Sequence, residues 1–358
     1  MKRVRALVLD DSAICRRQLR SMLEAEGDIE VVGEAASGEA VLELIRRTAP
    51  NILLVDLQMP GTGGHETIEQ VMANQPLPIL VVTGQPQGRR GDAVFESIRR
   101  GALDLAEKPS ATDEPAQARL RAMARTLASV PVVRHVAGNL GRKLDVEGLR
   151  RIATSAPPAP REAGVPVIGI GASAGGPTPL AQLLGGLPRD FPCAIAVVQH
   201  LPPGFCSAFA EFLRSRVRLN VVIPSGRCKI VAGSVYLAPD AAHLVVEDRY
   251  HFGFSLAAPI EGHRPAASAL FDSLAKVFGR HSAAVVLSGM GRDGVVGLAA
   301  MRLLGALTLA QDRESCAVFG MPRAALEAGV AQAAADPPGL LRALIAWSET
   351  QATGRRVP

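Results

Sequence analysis

Two groups of residues in this sequence have the types and the spacing to do chemistry. The first is Asp10, Asp11, Asp56, Thr83 and Lys108. Three carboxylates gathered in one place repel one another unless a hard divalent cation sits between them, and an oxygen-only donor set favours magnesium. Lys108 adds a second cation, and the Thr83 hydroxyl can hydrogen-bond an anion formed nearby. The set therefore suits a phosphoryl group carried on Asp56. Capping of strand ends by polar residues accounts for any one of the five, and poorly for all five together.

The second group is Ser173, His200 and Asp293. Gly171-Ala172-Ser173-Ala174-Gly175 lies between a strand pattern and a helix pattern, where small neighbours permit the sharp turn of a nucleophile elbow. The helix start just beyond it offers backbone N–H groups to an oxyanion. Read from Gly169, the same stretch is also a dinucleotide-binding G-x-G-x-x-A, which requires an acidic residue about twenty positions on, after the next strand. That strand, residues 193–198, ends instead in Gln199-His200, and a histidine there suits a serine nucleophile as its general base. Asp293 lies in the glycine-rich Ser288-Gly289-Met290-Gly291-Arg292-Asp293-Gly294, after a strand pattern at 283–287, and is a candidate to hold the imidazole. Spacing alone does not separate Asp293 from Asp240 or Asp272, nor His200 from His243 or His263. Each of these, taken singly, also suits a turn cap or a packed polar residue.

The elements that must position these groups follow a βα rhythm. Residues 6–9, 31–32, 52–55, 79–82 and 103–106 read as strands, with helical segments such as 14–26 and 39–48 between them. Such alternation predicts an open parallel sheet with helices on both faces and functional groups at the carboxyl ends of the strands. From residue 111 the pattern loosens, through a helical segment at 117–128, into the turn and polyproline composition of 154–161. The rhythm resumes at 165, with strands at 167–170, 194–198, 235–237 and 283–287, helical stretches at 180–184 and 298–304, and a last helix carrying Trp347. The expected organisation is an α/β domain over 1–125, a linker over 126–164 and a second, doubly wound α/β domain over 165–350.

Composition narrows the function classes. A length of 358 residues suits two cores, and 48% hydrophobic with 20% charged residues is the balance of a globular chain. The net charge of +5 is scattered, without the long basic run of a nucleic-acid or membrane-binding segment. The pairs Arg142-Lys143 and Arg150-Arg151 are too few to make a DNA-binding output domain. Five cysteines form no C-x-x-C pair, so neither a disulfide framework nor a zinc site is expected. Met1-Lys2-Arg3 resembles the start of a signal peptide, but the apolar stretch after it stops at Asp10-Asp11, and a cytoplasmic protein is expected.

Residues 1 to about 125 resemble a two-component receiver domain, a flavodoxin-like (βα)5 fold, through Leu9-Asp10-Asp11-Ser12, Asp56-Leu57-Gln58-Met59-Pro60 with Gly64, Thr83, and Lys108-Pro109. The resemblance implies that Asp56 takes phosphate from a chemotaxis-type histidine kinase, that Asp10, Asp11 and Asp56 hold Mg2+, and that Thr83 and Lys108 read the phosphate. Leu105 stands where receivers usually carry an aromatic switch residue. Residues from about 165 to 350 resemble the catalytic domain of the chemotaxis protein-glutamate methylesterase (CheB) family. The matching segments are Ile168 to Pro177, Gln199 to Phe205, Ala238-Pro239 with His243, Gly262-His263-Arg264-Pro265, Leu287 to Gly294, and Gly320-Met321-Pro322-Arg323. The implied roles are nucleophile for Ser173, general base and acid for His200 and orienting carboxylate for Asp293, with no cofactor for the esterase. The implied substrate is the helical cytoplasmic part of a methyl-accepting chemoreceptor, which would be demethylated and at selected glutamines deamidated, under control of receiver phosphorylation. Ala174 replaces a common threonine of that family, and Arg292 a smaller residue or asparagine. A nucleotide-dependent oxidoreductase and a phosphorylation-dependent scaffold with an inactive esterase are the competing readings. The missing acidic residue disfavours the first, and the intact trio the second.

Overall fold

The structure, a computed structural model, describes residues 3–59, 61–84, 90–130 and 164–353, together with residues 148 and 151. The chain divides into two compact units, residues 1–138 and 139–358. In the first, β1 (Val4–Leu9), β2 (Ile29–Ala35), β3 (Ile52–Val55), β4 (Ile79–Thr83) and β5 (Asp104–Glu107) form one sheet in the order β2-β1-β3-β4-β5. Every pairing is parallel. The order reverses at β1, so right-handed crossovers put helices on both faces and open a crevice at the carboxyl ends of β1 and β3. Ile52 to Val55 are all buried, as a central strand covered on both faces requires.

The first unit extends beyond its expected end at residue 125. Its last helix, Glu114–Ala128, begins at Asp113, whose side chain accepts from Ala116 N at 2.9 Å, and Leu127 is buried. Arg121, only 2% exposed, donates to Glu26 at 2.7 Å and to the Met22 carbonyl at 3.2 Å, and Arg125 pairs with Asp28 at 2.6 Å. These contacts anchor the helix against the start of the domain. Most of the expected linker lies outside the described residues.

In the second unit, β6 (Val167–Ala172), β7 (Ala194–Gln199), β8 (Asn220–Val222), β10 (Ser234–Leu237), β13 (Ser282–Val286), β14 (Leu307–Gln311) and β15 (Ala333–Ala335) form a seven-stranded sheet. The order is β15-β14-β13-β6-β7-β10-β8, parallel throughout, with β6 at the centre. It is the doubly wound sheet expected from the sequence. A second, antiparallel sheet of β11 (His243–Asp248), β12 (His251–Ser255) and β9 (Cys228–Lys229) had no counterpart in the sequence reading. Its strands are short and one buried face leaves only a weak alternation. All five cysteines are free, and burial, with the Asp240 charge adding to it, pushes the Cys206 thiol up to about 12. Among the described residues no helix is long and apolar enough to cross a membrane.

Candidate active site

Ser173 directly follows β6, the middle strand of the larger sheet, and is 9% exposed. Its N–H donates to the Ser288 carbonyl at 3.0 Å, and its own carbonyl accepts from Gly176 N at 2.8 Å, closing a tight turn into the helix Pro177–Gly185. Gly175 takes φ +68°, a left-handed conformation, and a Cβ there would come 2.6 Å from the Ala317 methyl. Ser288 Oγ donates to the Ala174 carbonyl at 2.8 Å and accepts from Val318 N at 2.9 Å, while Ser288 N donates to the Gln311 side chain at 2.8 Å. Gln199 Nε2 donates to the Ser173 carbonyl at 2.8 Å. The elbow is thus held from β7 and β13, its neighbours in the sheet, and through Ser288 from β14 beyond.

His200 follows β7, the strand beside β6, and its N–H donates to the Ala172 carbonyl at 2.9 Å. Its Nε2 lies 2.9 Å from Asp293 Oδ2. Asp293 is 1% exposed, and its oxygens also accept from the N–H groups of Ala267 at 2.6 Å, Ser268 at 2.9 Å and Gly294 at 2.8 Å. Ala267 and Ser268 open the helix Ala267–Phe278, so this carboxylate, supplied by a distant loop, caps that helix at the positive end of its dipole. Burial pushes the Asp293 carboxyl up, but the hydrogen bond and charge of His200 and the two helix amides outweigh it and hold the group down at about 2. An ionised carboxylate only accepts, so Nε2 carries a ring proton, and in a neutral imidazole Nδ1 is then the acceptor. Nδ1 is buried and has no hydrogen-bond partner. The contact between base and serine is therefore open in this state, as it often is before substrate binds.

The alternatives that spacing left open differ in their contacts. His243 is 1% exposed, with Nδ1 accepting from Ala266 N at 3.1 Å and Nε2 donating to the Ala258 carbonyl at 3.3 Å, so it is a structural clamp on that loop. Asp240 accepts from Gly204 N at 2.9 Å, and Asp272 pairs with Lys276 on a helix surface at 2.5 Å. His263 is not remote from the site: its ring stacks on His200, centroids 3.7 Å apart and planes within 8°. Sequence alone does not reveal the contacts made by His263, Gln199, Ser288 and Gln311. The first three lie in the motifs around the trio, whereas Gln311 ends a strand that the sequence did not reveal.

In the first unit, Asp10, Asp11, Asp56, Thr83 and Lys108 come together at the carboxyl edge of the smaller sheet. Oxygens of the three aspartates lie within 4.8 Å of one another, a donor set that fits a hard divalent cation. Lys108 Nζ lies 2.6 Å from Asp56 Oδ2 and 2.7 Å from Asp10 Oδ2. Burial lowers the Lys108 pKa, but these two carboxylates reverse the shift and raise it, so the amine stays charged. Thr83 is 3% exposed at the end of β4, and its carbonyl accepts from Lys108 N at 2.9 Å. Leu105 is 1% exposed on β5.

Comparison with known proteins accords with this geometry. Residues 168–344 match the family model described as CheB methylesterase, and residues 6–119 the response regulator receiver domain. A protein-glutamate methylesterase/protein-glutamine glutaminase from Anaeromyxobacter dehalogenans is 42% identical over 91% of this chain and 92% of that protein. One from Hahella chejuensis is 38% identical over 93% and 95%. The crystal structure of the Thermotoga maritima CheB methylesterase catalytic domain is 35% identical, covering 50% of this chain and 96% of that one, with a TM-score of 0.49. With a serine elbow, a carboxylate-held histidine and a receiver-type aspartate cluster in one sequence, and relatives this similar over nearly its whole length, the chain belongs to the CheB methylesterase family and carries a response regulator receiver domain ahead of its methylesterase domain.

Proposed function

We propose that this chain hydrolyses glutamyl methyl esters on the cytoplasmic helices of methyl-accepting chemoreceptors, and deamidates selected glutamines there, under control of phosphorylation at Asp56. The observation that carries the reading is the Asp293–His200 pair, whose vacant Nδ1 sits one strand from the Ser173 elbow. Ser173 Oγ attacks the ester carbonyl as its proton passes to His200 Nδ1, and Asp293 stabilises the imidazolium through Nε2. The Ala174 N–H, next after the nucleophile, faces the oxyanion. Collapse breaks the bond to the methoxy oxygen, which takes the proton from His200 and leaves as methanol, and water attacks the acyl-serine through the same base to leave a glutamate carboxylate. An amide follows the same course with ammonia as the leaving group.

In the receiver unit, Asp10, Asp11 and Asp56 would hold Mg2+, which when bound supplies positive charge beside the incoming phosphoryl group. A chemotaxis-type histidine kinase is the natural donor. Lys108 and Thr83 then face the aspartyl phosphate, and loss of the Lys108–Asp56 ion pair is the local change that signals it. The test is methanol release from methylated receptor fragments by the purified protein, with and without a small-molecule phosphodonor. Release by the wild type and none by Ser173→Ala supports the reading, and absence of release from any methylated fragment overturns it.

A further inference from the structure

A cleft of about 430 Å3 opens between the loop after β13 and the helix Met321–Glu327. Gly291, Arg292, Gly320, Arg323, Ala324 and Glu327 line it. Arg292, Arg323 and Glu327 are exposed, and none of their three side chains is committed to an ion pair or a hydrogen bond among the described residues. Two guanidinium groups against one carboxylate leave the cleft with a single positive charge, the complement of one anionic group. Its floor backs on the nucleophile. A Cβ on Gly320 would lie 2.6 Å from the Gly289 carbonyl oxygen and 3.2 Å from Gly291 N, and a Cβ on Gly289 would lie 2.9 Å from Ser173 Cβ.

The sheet order sets the loops after β14, β13, β6 and β7 side by side along one edge. Neighbouring strands are about 4.8 Å apart, close to the ~5.4 Å pitch of an α-helix. A substrate helix laid along that edge with its ester at Ser173 therefore carries the side chain one turn away over the cleft. We propose that the Arg292–Arg323 cleft is a subsite for one carboxylate of the substrate helix, a glutamate or aspartate one turn from the scissile ester. The inference rests on the methylesterase reading and names what its substrate carries beside the ester. Arginine suits the task because its planar fork matches a carboxylate with two parallel hydrogen bonds.

The test uses the whole protein with Mg2+ and acetyl phosphate, and two helical peptides that each hold one glutamyl methyl ester. One peptide has glutamate four positions to either side of the ester, and the other has glutamine there. Wild type is expected to favour the glutamate peptide ~10-fold in kcat/KM, mainly through KM, and less so at high salt. R292A and R323A should each shrink that preference, and the double variant should lose it. Because the preference is a ratio within one variant, a general loss of activity cancels. Equal rates on the two peptides in the wild type, or a preference that survives in the double variant, would overturn the subsite. Failure of the wild type to hydrolyse either peptide would overturn the methylesterase reading and the subsite with it.

Discussion

Four hydrogen bonds end on Asp293, and the one from His200 decides which ring nitrogen faces the carboxylate and which is left without a partner. With Nε2 held and Nδ1 vacant, the ring is the reverse of the arrangement in which a triad carboxylate holds Nδ1. Ser173→Ala should fold and lose on the order of 10³-fold or more in ester turnover, with His200→Ala similar and the double variant little worse, since the groups act as a unit. Near-normal turnover in either single variant would remove that residue from the mechanism. One hydrogen bond fixes an edge of the His200 ring but not its plane, and the stacked His263 supplies the plane. His263→Ala should lower kcat on a small soluble ester by ~10-fold with KM little changed, the cost of a misplaced base. His263→Phe, which keeps a flat ring, should recover most of it. If Phe failed where a smaller polar side chain succeeded, His263 would have a proton-transfer role instead.

Strand β5 carries a carboxylate in an unusual place. Asp104 is 8% exposed, and among the described residues its Oδ1 accepts only from Leu105 N, at 2.9 Å. Burial raises its pKa from 3.8 to about 7, against the small opposing pull of that amide. The folded unit therefore holds a proton that the unfolded chain releases. Its stabilising effect is fully present below about pH 4 and is lost as pH rises towards 7, with a limiting slope of about 1.4 kcal/mol per pH unit. Asp104→Asn should abolish that decline. The first unit contains neither Trp nor Tyr, so hydrogen exchange of the β4 and β5 amides across this pH range is the measurement. Identical pH dependence in wild type and variant would show that Asp104 is not the group responsible.

At the scale of the whole molecule, the two units offer separate chemistries on one chain. With Mg2+ and acetyl phosphate the protein should gain a base-labile acyl phosphate at Asp56, and removal of the divalent cation or Asp56→Asn should abolish it. If phosphorylation gates the esterase, turnover of a methylated receptor fragment should rise about tenfold for each ~1.4 kcal/mol by which the phosphate shifts the balance towards the active state. Asp56→Asn should hold turnover at the unphosphorylated level. Equal rates with and without the phosphodonor would remove the gating while leaving the esterase untouched. Leu105 is buried at the position where receivers usually carry an aromatic residue, so on the proposed reading Lys108 and Thr83 carry the change. Trp347, fully buried, reports on the second unit alone, so its fluorescence separates unfolding there from events at Asp56.

The aspartate cluster was legible because each member ends a strand whose apolar run is unmistakable, and parallel strands deliver their ends to one edge whatever the loops do. Ser173 was legible for the same reason, as a serine between small residues at a strand-to-helix turn. The sequence by itself thus determined two parallel α/β sheets and which candidate groups gather at their carboxyl edges. It did not determine which histidine and which aspartate meet at the edge that carries the serine, because His200, His243 and His263, and Asp240, Asp272 and Asp293, are equivalent as letters. Tertiary structure decided this by strand order: β13, β6 and β7 are neighbours in space though far apart in sequence, so their loops carry Asp293, Ser173 and His200 together. The first turn of Ala267–Phe278 then fixes the carboxylate by lending it two helix N–H groups, and the loop clamped by His243 lays His263 on His200. Both are contacts between segments whose separation along the chain carries no periodic signal, and they exist only once the sheet has brought the loops into reach.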